Sequence, residues 1–227
     1  MRWTATVALV MVVAVAGVGV AQERPLRPPR GAIVLFDGKD LSKWVSRDGR
    51  SPARWDIVPG GAMQVKPGTG DIMTREEFGS FQLHIEFKIP NMPHARGQAR
   101  GNSGVYLHGL YEIQVLDSYQ NQTYGKGGCG AIYGIKDPDK NMAKPPEQWQ
   151  TYDITFIAPK FDDAGNLVAK PRVTVRWNGV LVHDNVEIPQ ITAGGISDRM
   201  RKTGPILLQD HGDPVQYRNI WIRPLRD

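Results

Sequence analysis

From Phe81 to Ile89 the chain alternates without a fault: Phe81, Leu83, Ile85, Phe87 and Ile89 point one way, while Gln82, His84, Glu86 and Lys88 point the other. Successive side chains leave a pleated backbone on opposite sides, so a period of two sustained this long predicts a half-buried strand. Shorter runs of the same kind recur at Val105–Leu107, Tyr111–Leu116, Tyr152–Ile157, Val173–Trp177, Val180–His183, Ile206–His211 and Tyr217–Ile222. Between Trp177 and Val180 stands Asn178-Gly179, the pair that best tolerates positive φ at both centres of a two-residue hairpin turn. No stretch carries an apolar stripe at helical spacing for three turns. Many strands with tight turns and almost no helix predict an all-β chain, a sandwich or a barrel.

The chain has 227 residues, 41% of them apolar, and a single Cys. That is enough for one well-buried core and too little for two full domains, and one thiol excludes an internal disulfide. The formal charge of +5 comes from scattered basic residues. Their densest group, Arg24, Arg27 and Arg30, lies in a Pro-rich stretch that reads as a linker, so no nucleic-acid partner is expected. Ahead of it, Arg2 precedes an apolar run from Ala5 to Val20 broken only by Thr6, and small residues at Gly19 and Ala21 fit a secretory signal cleaved between Ala21 and Gln22. The competing reading is an uncleaved anchor, since the run approaches bilayer-spanning length; no Cys follows it to carry a lipid. The expected organisation is a signal over 1–21, a linker over 22–30 and one domain over 31–227, secreted or periplasmic, with no stable membrane anchor after cleavage. Nothing in the sequence fixes an oligomeric state.

Several strands carry groups suited to grasping a polyol. In Tyr111–Asp117, inward Ile113 and Val115 turn Glu112 and Gln114 to the opposite face. Strict alternation points Asp117 inward, and a β-bulge between Gln114 and Asp117 would return it to the Glu112 side. Gln209 and His211 share a face at the end of another strand, with Asp210 on the far side in a structural role. Carboxyls paired on one face are the equipment of glycosidic chemistry, one as proton donor and the other as base or nucleophile. Taken singly, Glu112, Asp117 and His211 read equally well as ordinary surface or structural groups. Asn102, Gln114, Gln209 and Asn219 offer amide donors and acceptors, and Tyr106, Tyr119, Tyr133 and Trp149 offer faces for sugar stacking. The stretch Ser118–Glu147, rich in Gly, Lys, Asn, Tyr and Pro, is long for a loop in a compact domain and is expected to wall or cover a site.

Other motifs fail on inspection. Gly125–Gly130 lacks the spacing and the Lys-Ser/Thr ending of a phosphate cradle. Asp137–Asn141 begins like a calcium loop, but Met142 stands where the turn Gly belongs and Gln148 where the bidentate Glu belongs. Cys129 has no neighbour in the sequence that would activate it and reads as a buried, inert thiol.

Five blocks in order then resemble one family. They are Leu35–Trp44, Gly101–Leu107 running into Tyr111–Ser118, Trp149–Asp153, Trp177–Gly179, and Gln209–Gly212 before Tyr217–Ile222. Together they are similar to the 3-keto-disaccharide hydrolases across Gly31–Arg223. The resemblance implies a concanavalin A-like jelly roll, an antiparallel β-sandwich of two curved sheets with a carbohydrate cleft. Glucanases of that fold carry Glu-x-Asp-x-x-Glu on a bulged strand; here Glu112-x-Gln114-x-x-Asp117 keeps the spacing with different chemistry, so an ordinary retaining mechanism does not fit. A 3-keto substrate offers elimination instead, because the ketone acidifies the proton on C2. The implied roles are Glu112 or His211 as base and acid, Asp117 orienting or assisting, and Asn102, Gln114, Gln209 and Arg218 holding hydroxyls or the carbonyl. No cofactor is required by the sequence. A divalent metal would find hard or borderline ligands in Glu112, Asp117 and His211, although no spacing demands one. The rival function is a non-catalytic carbohydrate-binding module on the same fold, and a third is a scaffolding domain of an exported assembly.

Overall fold

The computed structural model describes residues 27–226. The expected signal, its cleavage point and the first part of the linker lie outside the described residues. Strands follow one another as β1 (Ile33–Phe36), β2 (Trp44–Ser46), β3 (Asp56–Val58), β4 (Ala62–Gln64), β5 (Ile72–Thr74), β6 (Phe81–Lys88), β7 (Ser103–Leu107) and β8 (Tyr111–Val115). After a long connection come β9 (Trp149–Ile157), β10 (Lys160–Phe161), β11 (Leu167–Ala169), β12 (Arg172–Trp177), β13 (Val180–Glu187), β14 (Leu207–Leu208) and β15 (Gln216–Pro224). Among the described residues the one helical element is a 3-10 turn over Gly97–Ala99. No helix among them is long and apolar enough to cross a membrane.

The chain is an antiparallel sandwich. An eight-stranded sheet runs β13-β12-β9-β6-β15-β4-β3, with β1 added alongside β15, and a five-stranded sheet runs β2-β5-β14-β7-β8. Between them lie Leu83, Ile85 and Phe87 of β6 and Tyr152, Ile154 and Phe156 of β9, packed against Val105 of β7 and Ile113 of β8. The turn between β12 and β13 has Asn178 at φ 50° and Gly179 at φ 79°, as Asn-Gly predicts.

Two expectations change. The run Ile206–His211 yields only a two-residue strand, β14, because the chain leaves the sheet at Gln209 to build a loop. And β6 is buried on both faces rather than one, with His84 only 2% and Glu86 4% exposed. The cause is a bulge in β15: Arg218 pairs with Glu86 and Trp221 with His84, leaving two residues of β15 against one of β6, with Asn219 in the left-handed region at φ 48°. The bulge lays Trp221 over the His84 ring at 5.1 Å and aims Arg218 and Asn219 at Glu86.

Candidate active site

β7 and β8 pair in register, with Tyr106 opposite Glu112 and Gly104 opposite Gln114. Since Val105, Leu107, Tyr111, Ile113 and Val115 face the core, Tyr106, Glu112 and Gln114 stand on the outer face of the five-stranded sheet. They floor a pocket of about 200 Å³. Of the residues expected from the sequence, Glu112 and His211 line it together, joined by Asn102, Gln114, Tyr106, Tyr133 and Gln209.

Glu112 is 3% exposed. Burial pushes its carboxyl up to about 8, and the nearby charge of Asp71 adds to the rise, while one hydrogen bond from Tyr106 opposes it. Gly104 makes the position tenable, since a Cβ there would collide with Glu112 Oε1. The Tyr106 hydroxyl lies 2.9 Å from Glu112 Oε2, 3.0 Å from the Ala193 carbonyl and 3.3 Å from Gln209 Nε2. It owns one hydrogen. That hydrogen is shared between the Glu112 carboxyl and the Ala193 carbonyl, so the rise of Glu112 comes from burial and from Asp71, against the bond from Tyr106. Gly194, at φ 82°, permits the close approach, for a Cβ there would come within 2.6 Å of the Tyr106 hydroxyl.

The opposite wall is a web of amides. Gln98 Nε2 donates to Thr123 Oγ1 and to the Gly127 carbonyl, both at 2.7 Å, while Asn102 Nδ2 donates to the Gln98 carbonyl at 2.8 Å. Gln114 Nε2 donates to Gln98 Oε1 at 3.1 Å. Two buried acceptors are left over: Gln114 Oε1 and Gln209 Oε1 have no partner. Orphaned acceptors lining a pocket are suited to ligand hydroxyls, because leaving them unpaired is costly.

The long connection between β8 and β9 supplies a wall, as its length and composition predict. Gln114 N donates to the Ala131 carbonyl and Gly130 N to the Gln114 carbonyl, both at 2.9 Å, and Tyr133 N donates to the Glu112 carbonyl at 3.1 Å. This pairing covers an edge of β8 and sets Tyr133 over the pocket, its hydroxyl bonded to that of Tyr124. His211 is exposed at the rim, on the loop after β14. Asp210 takes the structural role expected of it, accepting from Gly70 N at 2.9 Å and Gly212 N at 3.0 Å. Cys129 is buried, and burial pushes its thiol up to about 12, in keeping with an inert role.

Five expected residues, Asp117, Tyr119, Trp149, Arg218 and Asn219, do not line the pocket, and Asn219 bonds to Glu86 instead. The pairing of β7 with β8 ends at Val115, and Asp117 beyond it does not join Glu112 in the pocket. Asp117 instead forms a buried ion pair with Arg100, Nε to Oδ2 2.7 Å, and accepts from Tyr119 N at 3.0 Å. Arg218 and Trp149 stand on the other sheet, the guanidinium 4.0 Å from the centre of the indole ring. With Asp117 removed, Glu112 and His211 lack a third ligand, and among the described residues no three His, Cys, Asp or Glu gather as a metal site needs. The sequence reading missed Gln98, Ala193 and Gly194. Gln98 sits on an irregular turn with no periodicity to mark it, and Ala193 acts through a carbonyl that any residue carries.

Comparison with known proteins bears on the whole domain. A 3-keto-disaccharide hydrolase of Bacteroides thetaiotaomicron is 26% identical over 86% of this chain and 79% of its own length. The crystal structure of a candidate glycosyl hydrolase from Parabacteroides distasonis superimposes with a TM-score of 0.80 at 39% identity, covering 95% of this chain and 100% of that one. A second candidate glycosyl hydrolase structure from that organism, at 21% identity and a TM-score of 0.64 over 86% of this chain and 94% of its own, shares the fold. Residues 31–223 match the family described as the 3-keto-alpha-glucoside-1,2-lyase-like domain, and the chain belongs to that family.

Proposed function

We propose that the chain is an exported enzyme that cleaves the glycosidic bond of 3-keto-glycosides, including 3-keto-disaccharides, by elimination at the pocket over β7 and β8. The observation that carries this reading is Glu112, a carboxyl buried with one hydroxyl partner and held neutral up to about pH 8. Around it, acceptors with no protein partner await hydroxyls. Family membership and the named activity of the Bacteroides relative support the substrate class. Export rests on Arg2 and the apolar run that ends at Ala21.

A neutral carboxylic acid is a proton donor, and an imidazole nitrogen can accept a proton. His211 at the rim takes the proton from C2 of the keto sugar, and the electron pair passes into the C3 carbonyl as an enolate. When the enolate collapses, the C1–O bond breaks and Glu112 gives its proton to the departing oxygen. The sugar is left with a C1=C2 double bond beside its ketone, and water added across that bond completes net hydrolysis. Asn102, Gln114 and Gln209 hold the hydroxyls and the carbonyl, where amide N–H donors stabilise the developing negative charge. The orienting role first given to Asp117 passes to Tyr106, which touches Glu112 directly.

The test incubates the purified protein and Glu112→Gln with a 3-keto-glucoside and with its unoxidised parent, following aglycone release with and without chelator. Release from the keto substrate alone, insensitive to chelator and lost in the variant, is the expected result. Binding of sugar without release from either substrate would leave a carbohydrate-binding module.

A further inference from the structure

Extending the strand registers one residue past the ends of β2, β5 and β14 brings Arg47, Asp71 and Gln209 into a row with the paired Gly104 and Gln114 at one end of the five-stranded sheet. Backbone bonds tie the row together, Arg47 N to the Asp71 carbonyl at 2.9 Å and Gln209 N to the Gly104 carbonyl at 3.0 Å. The pocket occupies the Gln209–Gln114 half of the row. The other half opens into a second cavity of about 620 Å³, lined by Arg47, Asp48, Ser51, Arg54, Thr69 and Asp71 among others. Neighbouring strands lie about 4.8 Å apart, so Asp71 is only about 10 Å from Gly104 at the floor of the pocket.

Two residues of the cleft bond to the chain beside the pocket. Arg47 Nη1 pairs with Asp71 Oδ2 at 2.6 Å, and Arg47 Nη2 donates to the Gly195 carbonyl at 3.0 Å, next to the pocket-lining Gly194. Asp71 Oδ1 accepts from Asp210 N at 2.9 Å, next to the pocket-lining His211. One ion pair of the cleft thus anchors both rims of the pocket.

Size decides what the cleft is for. Pockets for drug-sized ligands run from about 300 to 1,000 Å³. The 200 Å³ of the pocket falls below that range and suits one sugar ring, so the rest of a disaccharide must lie outside it. Charge decides the class of group. Two arginines and two aspartates line the cleft and offset each other, while Ser51 and Thr69 add hydroxyls, a lining suited to a neutral polyhydroxylated ring.

We propose that the cleft between Arg47, Arg54 and Thr69 is the leaving-group subsite, which holds the second sugar of the substrate while the keto sugar occupies the Glu112 pocket. The inference rests on the function proposed above, and its test separates the two. The full chain, Arg54→Ala and Ser51→Trp are compared on a 3-keto-disaccharide and on methyl 3-keto-glucoside, whose leaving group is too small to reach the cleft. The readout is the ratio of kcat/KM for the two substrates. Ser51→Trp, which fills the cleft, should lower the disaccharide-to-methyl ratio at least tenfold, and Arg54→Ala several-fold. Ratios within twofold of the parent, or equal losses on both substrates, would overturn the subsite while leaving the reaction standing. Cleavage of neither substrate by the parent protein would overturn the reaction, and the subsite with it.

Discussion

Glu86 and Glu112 are both buried carboxyls on the polar side of a core strand, one in each sheet, and their surroundings drive them in opposite directions. Burial alone would raise Glu86, but hydrogen bonds and charge from His84, Asn219 and Arg218 hold it down at about 2. It accepts from Arg218 Nε at 2.6 Å and Asn219 Nδ2 at 2.8 Å, with His84 Nε2 3.7 Å away as a charge neighbour. His84 answers in kind, held up at about 9 against burial by Asp153 and Glu86. Glu112 has no cation to match its burial and rises to about 8. Burial alone therefore does not keep a carboxyl neutral; burial with its charge left uncompensated does. In the eight-stranded sheet Glu86 meets Arg218 and Asn219, whereas in the five-stranded sheet Glu112 meets one hydroxyl, with the unpartnered Gln114 and Gln209 amide oxygens in the same pocket.

The comparison breaks first at activity. Glu112→Gln should reduce kcat/KM on a 3-keto-glucoside by about a thousandfold, within the range for a lost general acid. The same variant should melt at a higher temperature than the parent at pH 9, because it no longer buries a charge. Glu86→Gln should do the reverse. Removing one partner of a buried ionic network costs about 3–5 kcal/mol, to be read from denaturant unfolding, while activity per folded molecule stays within about threefold. If folded Glu86→Gln were inactive, the division of labour between the sheets would fail.

Stability against pH sharpens the contrast. The contribution of Glu86 is present above its ordinary value of 4.5 and is lost as pH falls toward about 2. That of His84 is complete below 6.5 and is lost as pH rises through about 9. Glu112 binds its proton more tightly folded than unfolded, so it favours the fold below 4.5 and that advantage is lost as pH rises to about 8. Thermal melts of the parent should thus decline from pH 5 to 9, and Glu112→Gln should flatten that decline. The activity profile should show an alkaline limb near pH 8, where the donor ionises. Tyr106→Phe removes the bond that opposes the rise of Glu112, so the limb should move upward by less than about one unit, as a kcat/KM profile would register. The smallest effect belongs to Trp149→Ala. It removes the surface under Arg218, should cost about 1 kcal/mol in unfolding and should leave turnover within twofold.

The fold was legible because it follows from local rules. Alternation set which residues of β6, β7 and β8 face the core, and Asn178-Gly179 set the hairpin. The candidate site was legible in part for the same reason: once Ile113 and Val115 point inward, Glu112 and Gln114 must point outward together. The reading faltered where regular pleating ended. Past Val115 the chain leaves its strand, so counting by twos could not place Asp117, and Arg100, distant in pattern though near in space, captured it. Arg218 misled for a related reason, since the bulge at Asn219 turns it onto Glu86 in the other sheet.

By itself the sequence determined the strand class, the inward and outward faces, the family blocks and the residue types available for acid and base chemistry, because each depends on neighbours along the chain. Only the tertiary structure decided that Glu112 is neutral and Glu86 charged, that Gly104 makes room for one carboxyl, and that Arg47 pairs with Asp71. Those outcomes depend on how much water each group loses and which partners cross from other strands. Desolvation and long-range pairing are properties of the assembled sheets.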